Sequence, residues 1–131
     1  MTLSKSTVLV VDDQPGIRRL LVEVLTDEGY EVNVAANGYE GLETVKKLKP
    51  SLILMDMKMP GMDGIATLQE LQEIGMASRV IMMTAYGELD LVTKAKELGA
   101  YAYITKPFDI ITLCEMVASY LDGHKEELMI G

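Results

Sequence analysis

Residues 8–25 read VLVVDDQPGIRRLLVEVL, and the change of period inside that stretch sets the fold. Val8-Leu9-Val10-Val11 is too short for a helix and continuously apolar, as expected of a strand covered on both faces. Asp12-Asp13 ends it. Ile17, Leu20, Leu21, Val24 and Leu25 then recur at i, i+3, i+4, i+7 and i+8, which makes one apolar stripe of a helix. Pro15 suits that helix's first turn, where a missing backbone N–H is no loss.

The same unit repeats down the chain. Leu52-Ile53-Leu54-Met55, Val80-Ile81-Met82-Met83 and Tyr101-Ala102-Tyr103-Ile104 are further short apolar runs rich in strand formers. Val32-Asn33-Val34 alternates apolar and polar, so it reads as a less completely covered strand at a sheet edge. Helical spacing returns in residues 42–48, 65–74 and 89–98, and in Leu113, Met116, Val117, Tyr120 and Leu121. Gly29 and Gly99 follow two of these helices at positions that suit C-caps. Strict alternation of strand and helix implies a doubly wound α/β domain: a parallel sheet with right-handed crossovers and helices on both faces.

Composition narrows the function. A chain of 131 residues suits one domain, expected over 1–122, with a flexible tail over 123–131. The apolar runs are far too short to cross a membrane, and the first ends in two acids rather than a cleavage signal, so a cytoplasmic location is expected. A net charge of -8 without clustered Lys and Arg opposes direct DNA binding and suits a cation site. Cys114, the single cysteine, reads as a small packed helical residue, and His124 as a solvated tail residue.

In a parallel sheet, ligands gather at the carboxyl ends of the strands. There the chain places Asp12-Asp13, Asp56, Thr84 and Lys106, each of which alone could be an ordinary strand boundary. Together they make a chemical set. Three adjacent carboxylates repel unless a cation sits among them, and oxygen-only ligands in an open site suit Mg²⁺, with Mn²⁺ as a substitute. A lysine and a hydroxyl facing that ion would meet the equatorial oxygens of a transferred phosphoryl group, with an Asp carboxylate as nucleophile.

The segments VLVVDDQPGIR, LILMDMKMPGMDG, VIMMTAYGE and YAYITKPFD resemble, in order and spacing, the four signature segments of the two-component response regulator receiver family, of CheY-like fold, over nearly the whole chain. The resemblance implies a five-stranded, flavodoxin-like sheet in the order 2-1-3-4-5. It implies Asp56 as phosphoacceptor, Asp13 as direct metal ligand, Asp12 as its water-bridged neighbour, and the backbone carbonyl of Lys58 as a further ligand. Lys106 matches the phosphate-pairing lysine, and its bond to Pro107 the family's cis peptide. Thr84 and Tyr103 match a hydroxyl and an aromatic that switch on activation. The partners implied are a sensor histidine kinase and a histidine phosphotransferase or other downstream protein.

Within the family the chain is particularly similar to stand-alone regulators of sporulation phosphorelays, although Pro15 stands where those carry an aromatic. Gln14, Pro15, Gly16, Ile17 and Arg18 with Pro107 and Phe108 correspond to the partner-docking surface. Lys58 and Tyr86, each two residues beyond a site residue, are expected to overhang the path of an attacking water and prolong the phosphoryl group's life. Met55, Met57, Met59 and Met62 read equally as core filling or as an adaptable contact surface. Three other readings stand beside this one. They are a receiver cut from a longer transcription regulator, an aspartyl-phosphate hydrolase, whose nucleophile would follow the first strand, and a flavodoxin-like cofactor binder, which would need a phosphate-cradling loop where DDQPGIR stands.

Overall fold

The structure, a computed structural model, describes residues 5–123. The proposed tail and His124 lie outside the described residues, except that the last helix runs through Gly123, one residue past the expected domain end. Five strands, β1 (Thr7–Val11), β2 (Glu31–Ala35), β3 (Leu52–Asp56), β4 (Val80–Ala85) and β5 (Ala102–Lys106), alternate with helices α1 (Pro15–Asp27), α2 (Gly38–Leu48), α3 (Gly64–Glu73), α4 (Leu89–Glu97) and α5 (Ile110–Gly123). A short 3-10 turn, Ala77–Arg79, precedes β4. All strand pairs are parallel, in the order β2-β1-β3-β4-β5.

Period-2 geometry splits each continuous apolar run between two cores. Leu9, Val11, Ile53, Met55, Val80 and Met82 face Val45, Leu68, Leu71, Val92 and Ala95 from α2, α3 and α4. Val8, Val10, Leu52, Leu54, Ile81 and Met83 face Leu21, Leu25, Leu113, Val117 and Tyr120 from α1 and α5. Each such aliphatic side chain removed from water contributes roughly 1.5–3 kcal/mol before entropy is charged against it.

The edge positions explain the departures from expectation. β2 is an edge strand as its alternation implies, with Val34 44% exposed. The run at residues 101–104 reads as fully covered, yet β5 is the other edge, begins one residue later and leaves Tyr101 and Tyr103 substantially exposed. Tyrosine tolerates that position because its hydroxyl end can stay wet.

Helix ends follow their local chemistry. Asn37 Oδ1 accepts from the Glu40 amide at 2.9 Å while Asn37 Nδ2 donates to Glu40 Oε2 at 3.0 Å, which ties off the start of α2. Asp63 Oδ1 likewise accepts from the Ala66 amide at 2.8 Å at the start of α3. Gly29 and Gly99, at φ +97° and +100°, end α1 and α4; the next amides, of Tyr30 and Ala100, reach back to the carbonyls of Leu25 and Ala95.

Candidate functional site

Register brings the polar strand ends together. Val11 pairs with Met55 and Asp56 with Met83, so Asp12 and Asp13 emerge beside Asp56, and Thr84 stands one residue past Asp56's partner. Thr84 and Ala85 pair in turn with Thr105 and Lys106. Asp12, Asp13 and Asp56 each offer a carboxylate oxygen, all within 4.8 Å of one another. Asp12 is fully buried, Asp56 is 9% exposed, Thr84 is buried and Asp13 is exposed.

Lys106 points into this cluster. Its Nζ donates to Asp12 Oδ2 at 2.7 Å, lies 3.1 Å from Asp56 Oδ1 and reaches Gln14 Oε1 at 3.4 Å. The peptide bond that follows, Lys106–Pro107, is cis. The other Asp12 oxygen accepts from the Gln14 amide at 2.9 Å. Arg18 donates from Nη1 to the Asp12 carbonyl at 2.7 Å, fixing the loop after β1 from its first turn of helix.

The electrostatics are unbalanced. Burial foremost, then the neighbouring Asp12, push the Asp56 carboxyl up from 3.8 to about 6, against the opposing pull of Lys106. Burial works to lower Lys106, but its bond to Asp12 and the charge of Asp56 outweigh it, and its pKa is raised. One ammonium thus faces three carboxylates. A divalent cation would supply the missing charge, and the donor set fits a hard one. All three donors are oxygens, and their spread is little more than the roughly 4.2 Å that separates opposite oxygens around Mg²⁺.

The remaining residues fall around this centre. Gln14, Pro15 and Gly16 are exposed at its rim, Ile17 and Arg18 are half-buried, and Ile17 and Phe108 pack against the α1/α5 core while Pro107 is exposed. Tyr103 lies 40% exposed with Lys96 Nζ 5.5 Å from its ring centre. Met55, Met57 and Met59 are core residues, which takes them out of any contact surface, whereas Met62 is half-buried. Cys114 is half-buried rather than fully packed. Tyr86 projects into solvent at 95% exposure.

Two residues of the site carried no sequence signal strong enough to single out. A Cβ on Gly64 would lie 2.5 Å from the Asp56 carbonyl and 2.9 Å from Met57 Cα, so only glycine lets α3 begin this close to the Asp56 backbone. Glu88 accepts from the Ala85 amide and meets Lys58 Nζ at 3.4 Å. Its place just before α4, four residues after Thr84, was the available hint.

Comparison with known proteins agrees with this geometry. Residues 8–118 match the family model described as the response regulator receiver domain. Sporulation initiation phosphotransferase F of Bacillus subtilis (strain 168) is 53% identical over 114 residues, 87% of this chain and 92% of that protein. Regulatory protein AtoC of Escherichia coli (strain K12) is 37% identical over 92% of this chain but only 27% of its own length. The crystal structure of a CheY-like receiver domain protein from Methanospirillum hungatei JF-1 superposes with a TM-score of 0.89 at 34% identity, covering 95% of this chain and 99% of that one.

Proposed function

The chain belongs to the response regulator receiver family, whose members are phosphoacceptors, and from that premise we propose that Asp56 takes the phosphoryl group from a histidine kinase's phosphohistidine and passes it to a histidine phosphotransferase. The observation that carries this reading is the convergence of Asp12, Asp13 and Asp56 with Lys106 on one edge of the sheet.

The chemistry follows from these side chains. An ionised Asp56 oxygen attacks phosphorus, the N–P bond breaks, and its electron pair returns to the donor imidazole. With a pKa of about 6, Asp56 is mostly ionised at pH 7, roughly ten to one. Lys106, already beside Asp56 Oδ1, would donate to one phosphoryl oxygen, and the Thr84 hydroxyl to another after a short inward movement. Asp12, Asp13, Asp56 and the Lys58 carbonyl would hold Mg²⁺, which when bound neutralises charge on the transferring group. Because both oxygens of Asp12 are engaged by Lys106 and the Gln14 amide, exposed Asp13 is the better direct ligand and Asp12 the outer one.

The acid pair follows β1 and the lone acid ends β3, an arrangement that disfavours the aspartyl-phosphate hydrolase. A role in relay is supported by the similarity to the sporulation phosphotransferase, and the exposed rim of Gln14, Pro15, Gly16 and Pro107 offers partners a surface beside the acceptor. Thr84 and Tyr103 would serve as the switch that reports phosphorylation. A cytoplasmic setting without direct DNA contact is part of this proposal, supported by the net charge of -8 without clustered Lys and Arg; among the described residues no helix is long and apolar enough to cross a membrane.

Mass spectrometry after treatment with acetyl phosphate and Mg²⁺ tests the assignment. The parent should gain one phosphoryl group, mapped to Asp56, and Asp56→Asn should gain none; uptake that persists in the variant refutes it.

A further inference from the structure

The Asp12 carbonyl belongs to the peptide bond that leads into Asp13. Asp12 is fully buried, and here the backbone leaves the sheet. Its amide still donates to the Ala35 carbonyl at 3.1 Å, but its own carbonyl takes a hydrogen bond from a side chain, Arg18 Nη1, at 2.7 Å. The Asp13 side chain is exposed and accepts no hydrogen bond among the described residues, so the backbone alone sets the direction in which its carboxylate leaves. The peptide unit is planar, and whatever fixes its plane fixes where Asp13 starts from.

Helix chemistry does not account for Arg18. It stands at the end of the first turn of α1, near the positive end of the helix dipole, where a cation is disfavoured, and that turn carries no acid to offset it. Gln14, the N-cap, turns its side-chain oxygen to Lys106 rather than to the helix amides. The half-buried guanidinium reaches back six residues to the Asp12 carbonyl instead. A planar fork of N–H groups holds a carbonyl in one direction more firmly than a rotating ammonium does.

From this we infer that Arg18 is a positioning residue for the divalent cation: by clamping the Asp12–Asp13 peptide it aims the Asp13 carboxylate at the centre shared with Asp12 and Asp56. This role rests on the reading of those acids as Mg²⁺ ligands and adds to it a residue that need not touch the ion. Arg18 acts on the ion in two opposed ways. Its positive charge repels a cation, so if charge were all it supplied, removing it would tighten binding. Its hydrogen bond orients a ligand in advance, so removing that bond weakens binding, because a loose Asp13 must then be ordered as the ion arrives. The second effect wins. Repulsion from a half-buried guanidinium is screened at physiological salt, whereas losing an outer partner of a metal ligand lowers affinity by about tenfold or more.

Calorimetric titration of Mg²⁺ into the unphosphorylated chain tests the clamp, with urea unfolding in the absence of divalent cations to establish that each variant is folded under the titration conditions. Arg18→Met keeps the aliphatic stem and removes both fork and charge; its Mg²⁺ affinity should fall about tenfold. Arg18→Lys keeps a charged donor and should regain about a third of the parent's affinity or more, and it carries the test if Arg18→Met does not fold. Arg19→Met removes the same charge from the next, exposed position and should leave affinity unchanged or slightly raised. A merely structural role for Arg18 would lower the urea midpoint without changing the affinity of the folded chain. Mg²⁺ binding by Arg18→Met as tight as the parent's or tighter, an Arg18→Lys chain no better than Arg18→Met, or an equal loss in Arg19→Met overturns the clamp while leaving the ion site standing. Failure of the parent itself to bind Mg²⁺ would instead overturn the reading of the three acids as its ligands, and the clamp with it.

Discussion

Replacing Asp56 by asparagine should stabilise the fold. The carboxyl is raised from 3.8 to about 6 with Lys106's attraction already working against the rise, so ionising it in the folded chain costs more than ionising it in the unfolded one. About two units correspond to roughly 3 kcal/mol at most. The side chain keeps 13% exposure, and discounting for that solvent contact leaves about 1.5–2.5 kcal/mol at pH 7. Asparagine is nearly isosteric and its amide oxygen can still accept from Lys106. Between about pH 4 and 6 the folded parent holds more protons than the unfolded chain, so its stability falls as pH rises through that window. The variant lacks this fall. Urea unfolding without divalent cations, at pH 4 and pH 7, should therefore show the gain at pH 7 and little at pH 4. Saturating Mg²⁺ should narrow it, because the ion offsets the same repulsion in the parent. An Asp56→Asn chain no more stable than the parent at pH 7 would refute the claim that unmet negative charge strains this site.

Lys106→Met leaves Asp12 fully buried without its ammonium partner, and urea unfolding should show a loss of about 2–4 kcal/mol, partly restored by Mg²⁺. Gly64→Ala forces a Cβ against the backbone of Asp56 and Met57; it should cost about 1–3 kcal/mol and weaken Mg²⁺ binding measured by calorimetry, whereas Gly16→Ala, with open space around it, should leave both nearly unchanged. Mg²⁺ affinity should fall up to about tenfold per pH unit below pH 6, as Asp56 takes up its proton, and the Asp56→Asn chain should show a flatter profile over the same range.

Much of this architecture is legible locally. The change from a continuous apolar run to helical spacing marks β1 and α1, and the alternation in Val32-Asn33-Val34 marks an edge strand. Adjacency between strands is not written in local periodicity. That is why Tyr101 and Tyr103 read as covered although β5 closes the sheet's other side. The acids and the lysine announce themselves because charged residues after apolar runs are chemically conspicuous. Glu88 and Gly64 do not, since a glutamate before a helix and a glycine at a helix start are ordinary. Their importance arises only from what lies opposite them: the Lys58 ammonium in one case, the Asp56 carbonyl in the other.

Asp12 and Lys106 are 94 residues apart in sequence, yet their 2.7 Å contact spans the sheet from its second strand in spatial order to its last. Loop closure over that distance delays such a contact during folding until intervening strands are in place. On the phosphoacceptor reading, a partly synthesised or partly unfolded chain would therefore carry Asp56 without Lys106 beside it. Competence to take up phosphate would in this way depend on completed folding.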